Sequence, residues 1–461
     1  MSAPLILATN SIKDTGYNVD NSLRFNDGDS PVLSKTASGS GNRRTWTISW
    51  WFKRSTLGGM TFFWQDGAST DHETKIAFDS SNRLFIYDFD GASFNMLLKT
   101  NRNFRDISAW YHAIIAVDTT DGTAANRIKM YINGVQETSF ETATYPSQNH
   151  DTEWNTNNEL RIAKDSSGDY FDGYLTEIVN VDGTQLAQTS LGEFDSDSPN
   201  IWKPIELDLT FGTNGFYLDF EDSSALGNDV SGNNNDFSPS NLAATDQSTD
   251  TCTNNFATLN PLDNATSGTS TFAEGNLKMT TDKQSRTTFG ASSGKWYVEA
   301  KYVNNTAANG IAQMDGSNTF NTNSIVLFGS SNGTISVSGS DTDTNVGAGT
   351  AIADNSIIMF AMDLDNNRLY LGKNGSWWTS GSGFVSSDLD SFKTITRVTG
   401  DTFGFKCSNY SGTGTTEWNF GSPPYTISSG NADGEGFGNF EYAVPSGYFA
   451  LCSKNLSEYG G

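Results

Sequence analysis

Histidine, the side chain best suited to act as a base near neutral pH, is scarce in this chain. The sequence contains only three: His72, His112 and His150. His112 lies in the run Trp110–Ala113, whose alternating pattern favours a structural strand residue. Catalysis of the Ser-His-Asp type needs a histidine that activates the serine. The sequence indicates no site of this type.

Loop aromatics could bind carbohydrate through their apolar faces. Four aromatic residues lie in polar loops beside Asn, Asp or Gly, which could hydrogen-bond hydroxyl groups: Tyr145, Trp154, Trp377 and Trp378. Exposed loop aromatics indicate function better than core aromatics do. The alternative is burial against a neighbouring segment or subunit, and the sequence leaves both interpretations open. Four other tryptophans alternate within predicted strands and are assigned to the core: Trp46, Trp50, Trp296 and Trp418.

The chain is acidic, with 28 Lys plus Arg residues against 53 Asp plus Glu residues and a formal net charge of −25. Such a chain is repelled by phosphate backbones, and it has no basic stripe, so we expect no nucleic-acid binding. Its acidity favours solubility and could help bind divalent cations. The three cysteines, Cys252, Cys407 and Cys452, are too few and too scattered for a disulfide framework or a zinc site.

The sequence Met1–Ala8 has no positively charged region, and its apolar run is short. We therefore expect no signal peptide, and no later segment is apolar enough for membrane insertion. These features predict synthesis in a cytoplasm without export by the usual secretion route.

One strand pattern occurs twice: apolar strand, polar turn, alternating strand, then Asn-Gly. The two copies are Ala113–Gly134 and Ile357–Gly375. Asn-Gly is the strongest short hairpin signal because it tolerates the positive φ angles of a two-residue turn. Aromatic residues make up 12% of the chain, and turn residues separate short β-type runs throughout. We predict an all-β protein with two antiparallel β-sandwich (jelly-roll) domains joined by an irregular strap.

The predicted order of domains begins with an N-terminal docking arm, 1–20. A first sandwich follows at 21–195 and a second at 291–461. Between them, 196–290 is polar and rich in Gly and Asn, which indicates either a linker or a strap lying across a neighbour.

Five motifs in the first sandwich occur in an order that resembles the laminin-G-like, concanavalin A-like family. They are Ser22–Phe25, Trp46–Trp50, Trp110–Ala113, Tyr131–Gly134 and Phe171–Ile178. The resemblance implies glycan or protein binding, often with calcium held by loop carboxylates. Asp165 and Asp169 are the candidate calcium ligands; the alternative is that they hydrogen-bond their own turn.

Glycosidases of this family typically carry a Glu-x-Asp-x-x-Glu strand, because retaining hydrolysis needs paired carboxylates about 5–5.5 Å apart. The nearest string here, Glu193–Asp195, is followed by Ser198 where the second glutamate should stand. We therefore expect that the protein is not an enzyme.

The second sandwich resembles the SPRY type in four motifs: Gly294–Glu299, Asp363–Tyr370, Lys373–Gly375 and Trp418–Gly421. SPRY-type domains are binding modules that recognise partners through surface loops.

Two further phrases, Leu226–Gly232 and Thr253–Asn260, resemble virion proteins of marine bacteriophages. This resemblance predicts a virion structural protein, such as an appendage, fibre or capsid-decoration subunit, that presents lectin-like surfaces to a host. Its expected partners are other virion proteins and a host surface glycan, and its expected state is a homo-oligomer, a trimer. The alternatives are a free carbohydrate-binding protein and a concanavalin A-like glycosidase.

Overall fold

The computed structural model describes residues 16–67, 69, 71–263, 270–281, 284–304, 306–315, 324–328, 335–337, 341–343, 352–408 and 414–460. The chain forms two compact units, divided in sequence between Thr253 and Asn254. We name them the N-terminal unit (16–253) and the C-terminal unit (254–460). The predicted arm, 1–20, lies largely outside the described residues. Its last part belongs to the N-terminal unit, where the buried Val19 donates its N–H to Thr253 Oγ1 at 3.0 Å.

The strands of the N-terminal unit alternate with short turns. They are β1 (Ser22–Phe25), β2 (Val32–Thr36), β3 (Thr45–Arg54), β4 (Met60–Asp66), β5 (His72–Phe78), β6 (Leu84–Asp90), β7 (Phe94–Thr100), β8 (Tyr111–Asp118), β9 (Ile128–Ile132), β10 (Val135–Gln136), β11 (Phe140–Thr144), β12 (Glu159–Ile162), β13 (Gly173–Asp182), β14 (Glu193–Phe194), β15 (Trp202–Lys203), β16 (Phe216–Leu218), β17 (Ser238–Ser240) and β18 (Gln247–Ser248). Short 3-10 turns lie at Asp27–Asp29, Ala124–Asn126, Gln188–Ser190 and Ala244–Asp246.

Two large antiparallel sheets and the two-stranded antiparallel pair β14-β15 form the described part of this unit. Over the described residues, sheet A has the order β10-β9-β8-β3-β13-β1-β18, with β16 also pairing β13. Sheet B has the order β11-β7-β6-β5-β4-β12-β2-β17. Alternation along β3 points Trp46, Ile48, Trp50 and Phe52 into the space between the sheets, where all four are fully buried. The core of the unit is therefore an aromatic-rich layer between sheets A and B.

Residues 186–253, which we name the strap, cover the outer face of sheet A. Leu191 of the strap packs on Ile114 and Val179 of that face, and Trp202 packs beside Trp51. Further along, three alternating apolar residues enter the main core: Phe216, Leu218 and Phe220. The strap is thus partly a third layer on sheet A and partly an extension of both sheets, because β16 and β18 pair within sheet A and β17 pairs within sheet B.

The sequence predicted 196–290 as one separate linker or strap, but the structure divides this segment between the two units. Its first part is the strap, whose strands β16, β17 and β18 pair with β13, β2 and β1. Its last part, 254–290, belongs to the C-terminal unit. The segment is polar on average, so its composition does not reveal the few apolar residues that pack each part against its unit.

A buried ion pair anchors the end of the strap. Lys53 Nζ lies 2.7 Å from Asp250 Oδ2, and each side chain is only 1% exposed. Trp110 Nε1–H donates to the other oxygen, Oδ1, at 3.0 Å. A buried charge needs such partners, because a buried charge without them strongly destabilises the folded protein.

The C-terminal unit consists of strands β19 (Ser270–Ala273), β20 (Lys278–Thr281), β21 (Gln284–Arg286), β22 (Lys295–Tyr302), β23 (Ala308–Gln313), β24 (Ser324–Phe328), β25 (Ile335–Val337), β26 (Asp341–Asp343), β27 (Ser356–Asp363), β28 (Arg368–Lys373), β29 (Ser376–Thr379), β30 (Gly383–Ser386), β31 (Phe392–Thr394), β32 (Phe403–Ser408), β33 (Gly414–Asn419) and β34 (Phe449–Ala450), and one helix, α1 (Ser453–Tyr459). None of the helices in the described ranges is long and apolar enough to cross a membrane.

Sheet C has the order β19-β20-β33-β22-β27-β28-β29-β30, with β31 pairing β28 and β34 pairing β22 in parallel. Sheet D has the order β21-β32-β23-β24-β25-β26. Trp296, Phe360 and Trp418 are buried in the main core of this unit. Residues 421–452 cover the outer face of sheet C, where Phe440 packs on Tyr297 with ring centroids 5.0 Å apart.

The all-β fold class and the antiparallel sandwich architecture predicted from the sequence are confirmed. Both Asn-Gly turns adopt the same conformation, with φ of 48° and 75° at Asn133 and Gly134, and of 48° and 85° at Asn374 and Gly375. Each turn closes the strand pair that the repeated pattern predicts.

Asp250→Ala should destabilise the N-terminal unit by about 3–5 kcal/mol, because it leaves the Lys53 ammonium buried without its carboxylate. Chemical denaturation followed by tryptophan fluorescence measures this loss. The control is Asp151→Ala, which breaks the exposed pair with Arg44 and should scarcely change stability. Equal losses in the two variants would show that Asp250 does not anchor the strap.

Candidate functional site

The outer face of sheet B carries an aromatic and charged row that crosses several strands. Arg161 lies opposite Trp64, Trp64 opposite Lys75, Lys75 opposite Tyr87, and Tyr87 opposite Leu97. Directly opposed residues on one face of a sheet are close enough to interact. Strand pairing therefore assembles one surface from β12, β4, β5, β6 and β7.

One half of this face is aromatic. Tyr87 stacks on Phe85 at 5.8 Å between ring centroids, and Phe94 meets Tyr87 and Phe89 edge-on or tilted at 5.1 Å each. Phe94 is 48% exposed, and the other three rings are partly exposed. An exposed cluster of rings of this kind offers flat apolar surface to a ligand.

The other half of the face is polar, with Glu73 at its centre. Glu73 Oε2 accepts a hydrogen bond from Trp64 Nε1 at 2.5 Å, and Oε1 accepts one from Tyr87 Oη. The Arg161 guanidinium lies 4.7 Å from the centre of the Trp64 ring. Burial, with added effect from Glu73, raises the pKa of Tyr87 well above its ordinary value, so its hydroxyl stays protonated as a donor. These contacts fix the orientation of the carboxylate.

Asp165 and Asp169, the predicted calcium ligands, lie beside this row at Lys75. Lys75 Nζ is 2.6 Å from Asp165 Oδ2 and 3.5 Å from Asp169 Oδ2. Asp165 Oδ1 also accepts the N–H groups of Gly168 and Asp169 at 2.8 and 2.9 Å. Burial opposes ionisation of Asp165, but the contacts from Lys75 and the Asp169 N–H outweigh it and hold its pKa below the ordinary value.

This donor set does not fit calcium. Ca²⁺ takes six to eight oxygen ligands, whereas the Asp165 carboxylate is occupied by an ammonium and by its own turn. Within the described ranges, no three His, Cys, Asp or Glu side chains are grouped so that they could hold a metal ion. Asp165 instead closes a turn and pairs with Lys75, as its alternative interpretation predicts.

Trp154, predicted as an exposed loop aromatic, is fully buried. Its ring stacks on Trp46 with centroids 5.1 Å apart, and its Nε1–H donates to Asn180 Oδ1 at 3.0 Å. The surrounding residues are polar because they bind backbone and neighbouring loops: Asn155 Nδ2, for example, donates to the carbonyl of Asn42 at 3.0 Å. The sequence could not distinguish such a polar shell from an exposed loop.

The other predicted aromatics also differ from exposed binding residues. Trp377 and Trp378 are 5% and 3% exposed, on opposite faces of β29, in the covered outer layer and the main core respectively. Tyr145 is partly buried and packs against the core of the N-terminal unit. Among the predicted site residues of the N-terminal unit, Asp165 and Asp169 share a turn beside Lys75, whereas Trp154 belongs to its core and Tyr145 packs against that core.

His112 is buried under the strap in a pair with Ser49, at 2.7 Å between Nε2 and Oγ. Trp202 Nε1–H donates to His112 Nδ1 at 2.8 Å, so the ring proton of neutral His112 is on Nε2. Nε2 then donates to the serine and has no lone pair with which to accept its proton. Burial also lowers the pKa of His112 to about 3. This pair is structural.

The sequence analysis did not predict the residues of the sheet B face, although the aromatic pattern of β6 indicates them. In β6 three residues that face away from the core are aromatic: Phe85, Tyr87 and Phe89. A strand that is apolar on both faces needs either a covering layer or a ligand.

Residues 26–185 match the model of the concanavalin A-like lectin/glucanases superfamily. This part of the chain is similar to that superfamily. No curated protein matches the sequence.

Solved structures with similar folds include a heptameric SAP-like pentraxin from Limulus polyphemus, with 13% identity, a TM-score of 0.28 and coverage of 38% of this chain and 82% of that one. The SPRY domain of human HERC1 has 10% identity, a TM-score of 0.27 and coverage of 35% and 96%. Domains LG4-5 of the mouse laminin alpha1 chain have 11% identity, a TM-score of 0.30 and coverage of 87% and 93%. Scores at this level carry no argument about function.

Trp154→Ala should cost about 3–5 kcal/mol of stability, as for other buried tryptophans, because it leaves a cavity beside Trp46. The matched control is Phe194→Ala on the strap, whose ring is 42% exposed and whose loss should cost about 1 kcal/mol or less. Thermal denaturation of both variants tests the placement, and a Trp154 variant as stable as the control would contradict it.

Calcium and EDTA should leave the melting temperature of the protein unchanged, because the carboxylate of Asp165 is already occupied. An ion bound at one hundred times its dissociation constant would add about 2.7 kcal/mol of stability. A calcium-dependent rise in melting temperature that Asp165→Asn abolishes would restore the calcium site.

Proposed function

We propose that this chain is a non-catalytic binding protein for a neutral glycan, and that the ligand lies on the outer face of sheet B. The observation that carries the proposal is the row from Arg161 to Leu97 on that face. It places partly exposed aromatic rings next to an oriented carboxylate. The match of residues 26–185 to a superfamily of lectins and glucanases supports it.

The chemistry of the face suits a sugar. The rings of Phe94 and Tyr87 provide apolar contact, and Glu73 with Lys75 provides hydrogen-bonding groups at fixed positions. The cations of the row are paired with carboxylates, Lys75 with Asp165 and Arg161 with Glu159 at 2.5 Å. A face whose cations are already paired favours hydroxyl-rich neutral ligands over polyanions, which the acidic chain repels.

Hydrolysis of a glycan is the second candidate, because Asp66 and Glu73 lie directly opposite each other on β4 and β5. Opposed residues have Cβ atoms about 4.5–5.5 Å apart, so the two carboxyl groups are neighbours on one face, and retaining glycosidases use such a neighbouring carboxyl pair. Burial raises the pKa of Asp66, the property that a general acid needs. Release of reducing sugar that both Asp66→Asn and Glu73→Gln abolish would establish the enzyme and overturn the binding-only proposal.

We also propose that the protein acts as part of a phage virion, as a homotrimeric appendage, fibre or capsid-decoration subunit that attaches to host surface glycan. The support is the resemblance of Leu226–Gly232 and Thr253–Asn260 to such proteins. Mass spectrometry of purified virions tests this role, and light scattering of the purified protein tests the trimer. Absence from virions together with intact glycan binding would favour a free carbohydrate-binding protein.

Phe94→Ala and Glu73→Gln should each weaken glycan binding at least about tenfold, which corresponds to about 1.4 kcal/mol. Phe94 is half exposed, so its loss should leave the melting temperature nearly unchanged. Binding is measured first on a glycan array and then by calorimetry with the best neutral oligosaccharide.

Phe194→Ala is the control, because it removes a ring of similar exposure from the strap, away from sheet B. It should bind glycan as the unmodified protein does. Loss of binding in this control, or full binding by Phe94→Ala and Glu73→Gln together, would place the ligand elsewhere.

A further inference from the structure

Glu177 occupies an unusual position in the central strand of sheet A. It lies at a bulge in β13, where the register with β3 shifts between Thr176 and Val179. Its φ of 50° is in the left-handed region, which non-glycine residues seldom adopt. The side chain is only 6% exposed. A buried carboxyl held by strained backbone indicates a functional constraint.

A chain of hydroxyl groups joins Glu177 to the strap. Tyr217 of β16 donates its hydroxyl hydrogen to Glu177 Oε2 at 2.6 Å. The hydroxyl of Tyr17 lies 3.3 Å from that of Tyr217. Strand β16 pairs with β13 immediately after the bulge, with Tyr217 opposite Val179. Glu177 therefore contacts the segment whose pairing holds the strap on sheet A.

The charged groups that act on Glu177 from the strap are acidic. Burial raises the pKa of Glu177 to about 8; the Tyr217 hydrogen bond opposes this rise, and the carboxylates of Asp219 and Glu221 add to it. Burial also raises the pKa of Asp219 and of Glu221. Ionisation of Glu177 thus adds a buried negative charge close to two further carboxylates, the half-buried Asp219 and the exposed Glu221.

In the described part of the chain, the other titratable groups near Glu177 are either neutral or already paired. His112 of β8, which lines the same small cavity, has its pKa lowered to about 3 by burial and is neutral. Burial, with Glu177 adding to the effect, raises the pKa of the Cys252 thiol well above its ordinary value, so the thiol is neutral too. Lys53 of the neighbouring strand β3 is engaged by Asp250.

We propose that Glu177 is a proton-controlled latch for the strap: protonated Glu177 keeps β16 paired with β13, and ionised Glu177 loosens it. In the closed state the carboxyl keeps its proton up to about pH 8. In an opened, solvated state it would lose the proton near its ordinary pKa of 4.5.

The direction of the effect follows from this difference. Below the ordinary pKa of Glu177, the carboxyl is protonated in both states and the equilibrium favours the closed strap most. As the pH rises from there to about 8, the ratio of closed to open strap falls about tenfold per pH unit. Above that pH both states are ionised, and the contribution of Glu177 changes no further.

Hydrogen exchange of the Phe216 and Leu218 amides in the full chain tests the latch, because these residues pair with β13 and their amides exchange when the strap opens, whereas the Tyr217 N–H donates to Asp229 within the strap. Glu177→Gln keeps the shape of the side chain and cannot ionise. Between about pH 5 and pH 8.5, the ratio of the exchange rate in the unmodified protein to that in Glu177→Gln should rise at least about tenfold. Comparison at equal pH removes the intrinsic pH dependence of exchange.

Asp222→Asn is the matched control, because it removes one negative charge from an exposed position of the same strap. Its exchange should follow that of the unmodified protein at every pH. Parallel profiles for the unmodified protein and Glu177→Gln would overturn the latch.

Tyr217→Phe provides a second test that holds if Glu177→Gln fails to fold. The Tyr217 hydrogen bond favours ionised Glu177, so its loss should raise the pKa of Glu177 in the closed state and extend the pH-dependent loosening of β16 to a pH above about 8. A profile that stays in place or moves to lower pH would also overturn the proposal.

Discussion

Burial of the outer face of sheet A by the strap is the constraint on which the rest of the N-terminal unit depends. A two-sheet sandwich has two inner faces, which form the core, and two outer faces. The strap covers the outer face of sheet A. It is held there by the buried pair of Lys53 and Asp250 and by the apolar contacts of Leu191 and Trp202. Within this unit, the aromatic surface around Phe94 is consequently on the other sheet, where strand pairing orders it without any loop. A ligand surface built on strands is fixed more firmly than one built on loops.

In the C-terminal unit residues 421–452 cover the outer face of sheet C, and the buried carboxyl group beneath this cover differs from Glu177 in its hydrogen-bond donors. Glu299 of β22, like Glu177, is a buried carboxylate beneath a covering segment. It accepts N–H groups of Glu441 and Tyr442 at 2.9 and 2.8 Å, with further hydrogen bonds from the side chains of Tyr297 and Asn419. Burial raises the pKa of Glu299, and these four donors, two of them backbone N–H groups of the cover itself, oppose that rise. Glu177 receives a hydroxyl from Tyr217 and faces acids, so ionisation works against its cover.

The paired charges on sheet B give its outer face a different character from that of the whole chain. The net charge of −25 acts over long distances and is screened by salt. At the face itself, Lys75 and Arg161 are neutralised by Asp165 and Glu159 within hydrogen-bonding distance. The glycan recognition proposed for this face would depend on shape, ring contact and directed hydrogen bonds, with little contribution from long-range attraction. A strongly acidic protein could in this way bind an uncharged ligand without the salt dependence of a polyelectrolyte.

The fold was predictable from sequence because its signals are local. The Asn-Gly turns and the alternation of Trp46, Ile48 and Trp50 each lie within a few residues, and both are confirmed. The candidate site was not predictable, because it depends on register: Glu73 meets Trp64 and Tyr87 only once β4, β5 and β6 are aligned, and a shift of one residue would turn each to the opposite face. Burial of Trp154 is equally non-local, since its hydrogen bond to Asn180 and its contact with Trp46 join distant parts of the chain. Composition marks a polar loop, but only pairing across the sheets decides whether its tryptophan faces a ligand or the core.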